Sequence, residues 1–290
     1  MYTAEFDYHR PATLAEAIKI LGKNKNSKVL AGGHSLLPAM KLRVAEPAAL
    51  VDIGRLKGLS GIKASKKGVK IGALTTHAAV AASKDITKAC PLLAEAAAQI
   101  GDTQVRNRGT MGGSLAHADP AADYPTVLMA LEAVITATGK NGGRDIAAAK
   151  FFKDIFTTAL KSGELITAIT VPAYNNFSHM GGCYLKHRHP ASSYAVVGVA
   201  AMVGLGENGV VTRTSIAVGG VTGVAVRCTA AEKALAGMAP TAENIAAAAA
   251  KVAAALGHPM GDHYASGEYR VHLATVLAKR ALTAAVERAK

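Results

Sequence analysis

The sequence predicts an α+β protein built in two parts, and three features predict it. Up to Pro172, short apolar runs of strand character alternate with amphipathic helical segments. Beyond it come three longer strand-like stretches, "GCYLKHR", "YAVVGVAAMVGL" and "VVTRTSIAVGGV", followed by alanine-rich helices. The length, 290 residues of which half are hydrophobic and 18% charged, suits a folded chain of two domains. The division is placed near residue 175, giving parts 1–175 and 176–290, the first dividing again into about 1–55 and 56–175.

The elements follow in order. "ATLAEAIKILGKN" is a helix, with Thr13 and Glu16 as a capping box, Leu14, Ile18 and Leu21 on one face, and Gly22 as its close. "KVLAGG" and "AALVDIG" are strands, and "GIKASKKGVKIGALTTH" is a hairpin turning near Lys67-Gly68. "CPLLAEAAAQI" is a helix with Pro91 in its first turn. "GDTQVRNRGTMGGSLAHADPAADYP" is long, polar and broken by glycine and proline, which reads as a functional loop. "YPTVLMALEAVI" resumes as a helix or buried strand, Asn141-Gly142-Gly143 turns, and "GELITAITVP" is a strand ended by Pro172. "YNNFSHMGG" connects the two parts, and "TAENIAAAAAKVAAAL" and "YRVHLATVLAKRALTAAVERA" are the late helices.

Composition removes several functions. The net charge of +13 invites an anionic partner, yet the 33 basic residues are scattered and form no nucleic-acid-type run. Aromatic residues are 4% with no Trp, so stacking platforms for single strands are few. Cys90, Cys183 and Cys228 are far apart and outside any CxxC pair, which excludes a disulfide framework, a zinc site and an iron-sulfur ligand set. "MYTAEFDYHRP" has no signal-peptide pattern, and no run is long and apolar enough to span a bilayer; a cytoplasmic setting is expected.

One formal G-x-G-x-x-G occurs, at Gly204, Gly206 and Gly209, but a β-like segment follows where a nucleotide site needs a helix, so it reads as a hairpin turn. Two other glycine pairs carry more. "AGGHS" (Ala31, Gly32, Gly33, His34, Ser35) and "TMGGS" (Thr110, Met111, Gly112, Gly113, Ser114) both set Gly-Gly before serine in a loop beside an apolar segment. Without Cβ atoms, such backbone can aim N–H groups at an anion. Either pair is an ordinary turn or half of a pyrophosphate clamp. Asp123 can bind ligand hydroxyls or N-cap the helix entering Pro125. His117 and Asp119 lack further ligands for a metal, and His187 and His189 read as a solvated strand face. Tyr194, just before an apolar strand, is half-buried core or lies against a flat ring. No G-x-S-x-G elbow or activated serine is present.

In order and spacing, "LAGGHSLLPAMKLR", "QVRNRGTMGGSLAHADPAADYP", "GELITAITVP" and "HPASSYAVVGVAA" resemble the medium FAD-binding subunit of molybdenum hydroxylases, the family of aerobic carbon monoxide dehydrogenase and xanthine dehydrogenase. The resemblance spans nearly the whole chain. It implies a fold similar to vanillyl-alcohol oxidase and p-cresol methylhydroxylase (PCMH): an FAD-binding domain of two α+β subdomains, then a C-terminal antiparallel sheet with helices. It implies that the Ala31–Ser35 and Thr110–Ser114 backbones contact the FAD diphosphate, with Met111 where isoleucine or leucine is commoner. By the same resemblance Asp123 binds the ribityl region, Ile166 borders the isoalloxazine, and Lys186 and Tyr194 lie near the ring.

The implied role is electron transfer with no catalytic acid or base in this chain. A large molybdenum-cofactor subunit oxidises the substrate, a small iron-sulfur subunit relays electrons, and FAD here passes them to an acceptor, in a heterohexamer of two copies of each. Carbon monoxide dehydrogenase is the favoured type. The alternatives are a xanthine or N-heterocycle dehydrogenase, or a stand-alone flavin oxidoreductase similar to UDP-N-acetylenolpyruvylglucosamine reductase. The acceptor, NAD, quinone or oxygen, stays open, as does association with the inner face of the membrane.

Overall fold

A computed structural model describes every residue except 175–178, so the expected division near 175 and four of the nine residues of the "YNNFSHMGG" connection lie outside the described residues. In the first unit, β1 (Asp7–His9) precedes α1 (Leu14–Lys23), then come β2 (Ser27–Leu30), α2 (Leu36–Lys41) and β3 (Ala49–Asp52). The strands pair in parallel in the order β1-β3-β2, and α1 buries Ala17, Ile18 and Leu21. Thr13 caps α1 by accepting the Glu16 N–H at 3.2 Å. Glu16 reaches back to the Ala12 N–H at 2.8 Å, one residue before the cap. Gly22 lies inside the helix, which runs to Lys23 and is closed by Asn24.

The second unit begins with the expected hairpin, β4 (Ile62–Ser65) and β5 (Gly68–Gly72). Six helices follow: α3 (His77–Ala82), α4 (Lys84–Ala89), α5 (Pro91–Ala98), α6 (Thr103–Arg108), α7 (Met111–His117) and α8 (Asp123–Ala130). Then come β6 (Val134–Gly139), β7 (Gly142–Ala147), α9 (Ala148–Phe151), the small pair β8 (Phe152–Asp154) and β9 (Thr157–Thr158), and β10 (Leu165–Pro172). The main sheet is antiparallel, in the order β4-β5-β10-β6-β7. The polar stretch expected as one loop is therefore largely α6, α7 and the start of α8. These helices lack an apolar stripe and hold Gly-Gly, so propensity hides them. Side-chain caps hold two of them: Asp102 accepts the Val105 N–H at 2.7 Å, and Thr110 accepts the Gly113 N–H at 3.1 Å. Ala118, left-handed at φ 52°, ends α7.

The third unit is the antiparallel sheet β11 (Met180–Arg188), β12 (Ala195–Leu205), β13 (Val211–Gly219) and β14 (Val226–Arg227) in sequential order. Helices α10 (Thr229–Leu235), α11 (Ala242–Ala250) and α12 (Gly267–Ala289) complete it. The expected single helix after Thr241 ends as α11 and continues as a 3₁₀ turn over Lys251–Ala255. The G-x-G-x-x-G is a hairpin turn between β12 and β13, with Gly209 at φ 74°.

Strand β12 has no polar face because both its faces are covered. Ala200 and Met202 enter the core shared with the second unit, while Val197, Val199, Ala201 and Val203 enter a core beneath α12. Fully burying each valine is worth about 1.5–3 kcal/mol, enough to favour this sandwiching over one wet face. The first of these cores also takes Tyr124 and Leu128 of α8, so the second and third units share an interior. That shared interior fixes where α8 and β11 stand relative to each other.

Candidate functional site

The two glycine motifs meet. A Cβ on Gly32 would stand 2.1 Å from the Arg108 carbonyl oxygen and 3.0 Å from the Gly109 Cα, so the two backbones touch at a place where no side chain fits. Gly33 turns the chain at φ 77° into α2. Ala31 lies on the other motif's flank, its Cβ 4.0 Å from where a Gly113 Cβ would be.

The motifs are unequal in donors. In the second, the Met111 N–H donates to the Thr75 carbonyl at 2.9 Å, Gly112 to Ala73 at 2.8 Å and Ser114 to Thr110 at 3.0 Å. Gly113 donates to the Thr110 hydroxyl, so this set is spent inside the chain. Thr110–Ser114 is thus the cap and first turn of α7 rather than a loop, clamped on the segment after β5. Among the described residues, the backbone N–H groups of Gly32, Gly33, His34 and Ser35 meet no acceptor in the chain. Four unspent donors beside a Cβ-free contact fit a diphosphate; the second motif supplies the close-packed platform.

His77 sets that platform. Its N–H donates to the Gly109 carbonyl at 3.0 Å, and its ring fills the place of a Gly109 Cβ, 2.6 Å from Nε2. Nδ1 lies 3.3 Å from the Tyr124 hydroxyl. Burial, then the charges of His34 and Arg106, push its pKa down to about 4. The neutral ring therefore contributes stability that is complete above the free value near 6.5 and is lost as pH falls toward 4. We expect His77→Gln to flatten the acid limb of the thermal-stability profile between those values. The difference should approach about 3 kcal/mol, and parallel profiles would refute it.

Asp123 does not cap the helix. Ala122 holds the N-cap position of α8, without a side-chain cap, and Asp123 is buried at the next residue. Its Oδ1 accepts the Tyr184 hydroxyl at 2.5 Å, and the Lys186 ammonium lies 3.0 Å from both carboxylate oxygens. Lys186 also donates to the carbonyls of Gln99 and Ser193, each at 2.9 Å, which occupies its three N–H bonds. Burial raises the Asp123 pKa and lowers that of Lys186, each opposed by the other's charge. Expected near a flavin, the Lys186 side chain is 1% exposed and has no donor left for a ligand.

Tyr194 is 39% exposed, and its phenol lies beside the Ser35 side chain of the first glycine motif, so a residue from the third unit approaches the first. Half-buried as expected, it nevertheless belongs to none of the hydrophobic cores. Ile166 is 5% exposed in the core on β10, paired with Ala137. His34 Nδ1 lies 3.2 Å from the Gly32 carbonyl, and the ring is exposed. His117 packs on Phe156, with ring centroids 5.0 Å apart, and the Asp119 carboxylate accepts the Ala121 N–H at 2.9 Å. His187 and His189 pack on the Tyr264 ring, at centroid distances of 6.4 and 4.7 Å, rather than forming a wet strand face. Among the described residues there is no cluster of three or more His, Cys, Asp or Glu suited to a metal. Sequence reading missed Ala73–Thr75, His77, Gln99 and Tyr184. "GALTTH", polar where a strand ends, hinted at Ala73–Thr75 and His77 alone.

This arrangement can be compared with known proteins. Residues 4–174 match the family described as the FAD binding domain in molybdopterin dehydrogenase. The chain belongs to that family. The rest of this flavin-binding chain matches the CO dehydrogenase flavoprotein C-terminal domain over residues 183–285. It is 39% identical over 286 residues to the carbon monoxide dehydrogenase medium chain of Hydrogenophaga pseudoflava, with 98% of each chain covered. It is 38% identical over 291 residues to the 6-hydroxypseudooxynicotine dehydrogenase complex subunit alpha of Paenarthrobacter nicotinovorans, covering 100% of this chain and 97% of that one. A solved carbon monoxide dehydrogenase from Hydrogenophaga pseudoflava superposes with a TM-score of 0.95 at 40% identity and 99% coverage of both chains. The expected fold, an FAD-binding α+β part followed by an antiparallel sheet with helices, is borne out. No helix among the described residues is long and apolar enough to cross a membrane.

Proposed function

We propose that this chain holds FAD in a multi-subunit molybdenum hydroxylase, taking electrons from iron-sulfur clusters of a small subunit and passing them to an acceptor. The substrate is then oxidised at a large molybdenum-cofactor subunit. The carrying observation is the set of four unspent N–H groups at Gly32–Ser35, on a surface where Gly32 abuts Arg108, with Tyr194 beside Ser35. FAD, when bound, supplies the redox chemistry and takes up or gives off one or two electrons. The chain's residues hold it: Gly32–Ser35 donate to the diphosphate, Thr110–Ser114 give it a flat backbone floor, and Tyr194 limits solvent access.

The separate roles follow the same reading. Asp123 keeps a place near the ribityl chain through lone pairs not taken by Tyr184 and Lys186, and Ile166 acts from behind the ring's edge through packing. Two domains, 1–175 and 176–290, with subdomains about 1–55 and 56–175, frame this site. Three buried free cysteines suit a reducing, cytoplasmic compartment.

The favoured type is carbon monoxide dehydrogenase, supported by 39% identity to such a medium chain against 28% to an Escherichia coli xanthine dehydrogenase FAD-binding subunit. A glyceraldehyde dehydrogenase medium chain from Sulfolobus acidocaldarius also stands at 39%. That level identity across substrates agrees with substrate choice residing in another subunit. Native mass spectrometry of the complex is the test: flavin in this chain, with molybdenum and iron-sulfur subunits in two copies each, is expected. A colourless chain, or one that oxidises a small substrate alone, would overturn it. Tyr194→Ala should speed reoxidation of the reduced flavin by oxygen about tenfold or more with little change in melting temperature, because it removes a cover and leaves no core cavity. Unchanged stopped-flow reoxidation would count against a covering role.

A further inference from the structure

The Asp123–Lys186 pair is a costly feature. Removing two ions from water costs several kcal/mol each, and such pairs often stabilise no more than apolar residues would. The position of its third bond suggests what it does. Lys186, on β11, donates to the carbonyl of Ser193, a non-glycine residue in the left-handed region at φ 62°. That conformation is unfavourable for a serine and persists where surrounding bonds over-determine it. Ser193 immediately precedes Tyr194.

The turn is tied down on every side. The Ser193 N–H donates to the His189 carbonyl at 2.9 Å, the His189 N–H to the Tyr194 carbonyl at 2.8 Å, and the Ala195 N–H to the Ala121 carbonyl at 3.2 Å. Lys186 joins this turn to α8 through Asp123 and to the end of α5 through Gln99. One ammonium thus bridges two elements of the second unit and the strained turn of the third. Tyr194 leaves that turn toward Ser35 of the first.

We propose that Lys186 is a positioning residue: its ammonium latches the Ser193 carbonyl to Asp123 and Gln99, and so holds Tyr194 over the Gly32–Ser35 surface. This rests on the flavin reading for its effect on reactivity, but the latch itself is a property of the chain. It accounts for a buried cation whose three bonds all go to protein, one of them to the residue next to the cover.

The test uses the full chain and two readouts. Hydrogen exchange comes first and needs no flavin. In Lys186→Met the amides of His189, Ser193 and Ala195 should exchange about tenfold faster, while those of β12 and β13 keep their wild-type protection. A uniform increase across the sheet would mean a purely structural pair and would overturn the latch; so would an unchanged turn. If Lys186→Met does not fold, Asp123→Asn combined with Lys186→Met removes both charges together and is read in the same way. The second readout is reoxidation of reduced flavin in a cycle with Tyr194→Ala. Lys186→Met should accelerate it alone and add nothing on the Tyr194→Ala background, because both act through one cover. Additive effects would overturn the proposal. A wild-type chain without flavin would defeat the functional reading, while the exchange experiment would still decide the latch.

Discussion

Gly32→Ala is expected to produce a folded chain that purifies without FAD. The smallest possible side chain would place a carbon 2.1 Å from the Arg108 carbonyl oxygen, with the carbonyl carbon at 2.8 Å. Real contacts of that kind do not occur, so one of the two backbones has to move. The obstruction is main chain, which cannot swing aside as a side-chain tip does. Overpacking of this kind typically costs about 1–3 kcal/mol, a loss a chain with cores this extensive can tolerate. One of these backbones carries the four unspent N–H groups and the other leads into the second motif, so a shift of either disturbs the binding surface. Flavin absorbance per chain should fall at least about tenfold, while urea unfolding of the apo-protein shows a modest loss. Full FAD occupancy would refute the contact as a binding determinant. Gly33→Val and Gly113→Val should weaken FAD by gentler means. Gly33 needs its positive φ, and a Gly113 Cβ would press on the Thr110 hydroxyl, 2.7 Å away.

The second large effect is at Asp123, where the fold adds a structural duty that the sequence did not show. Read as a ribityl ligand, Asp123→Asn should weaken FAD more than it harms the apo-chain. In the fold the carboxylate neutralises a lysine whose side chain is 1% exposed. Asparagine still accepts from Tyr184 but leaves the ammonium with two carbonyls and no counter-charge. Breaking one side of a buried pair costs about 3–5 kcal/mol. The urea midpoint of the apo-protein should therefore drop sharply with little change in slope. An unchanged midpoint alongside lost FAD would restore the simpler ligand role.

Much of the fold was legible because its signals are local. Thr13 and Glu16 marked a helix start, Lys67-Gly68 a hairpin, and the apolar run in "YAVVGVAAMVGL" a strand. The misses have one cause. Helices α6 and α7 carry polar residues and glycines because tertiary hydrogen bonds, such as Gly112 to Ala73, do the work an apolar face usually does. A periodicity search does not register that kind of support. His77, Gln99 and Tyr184 escaped for the same reason, since each matters through a partner 20 or more residues away.

By itself the sequence determined the α+β class, the two glycine motifs and, through motifs in family order, a flavin subunit. These are written in residue type and spacing. Only the tertiary structure decided that the motifs are unequal, that Asp123 pairs with Lys186, and that Tyr194 from the third unit reaches Ser35 in the first. A glycine pair announces that backbone can come close. Whether its N–H groups remain free depends on the carbonyls that distant segments bring to it, and that is settled only when the chain packs.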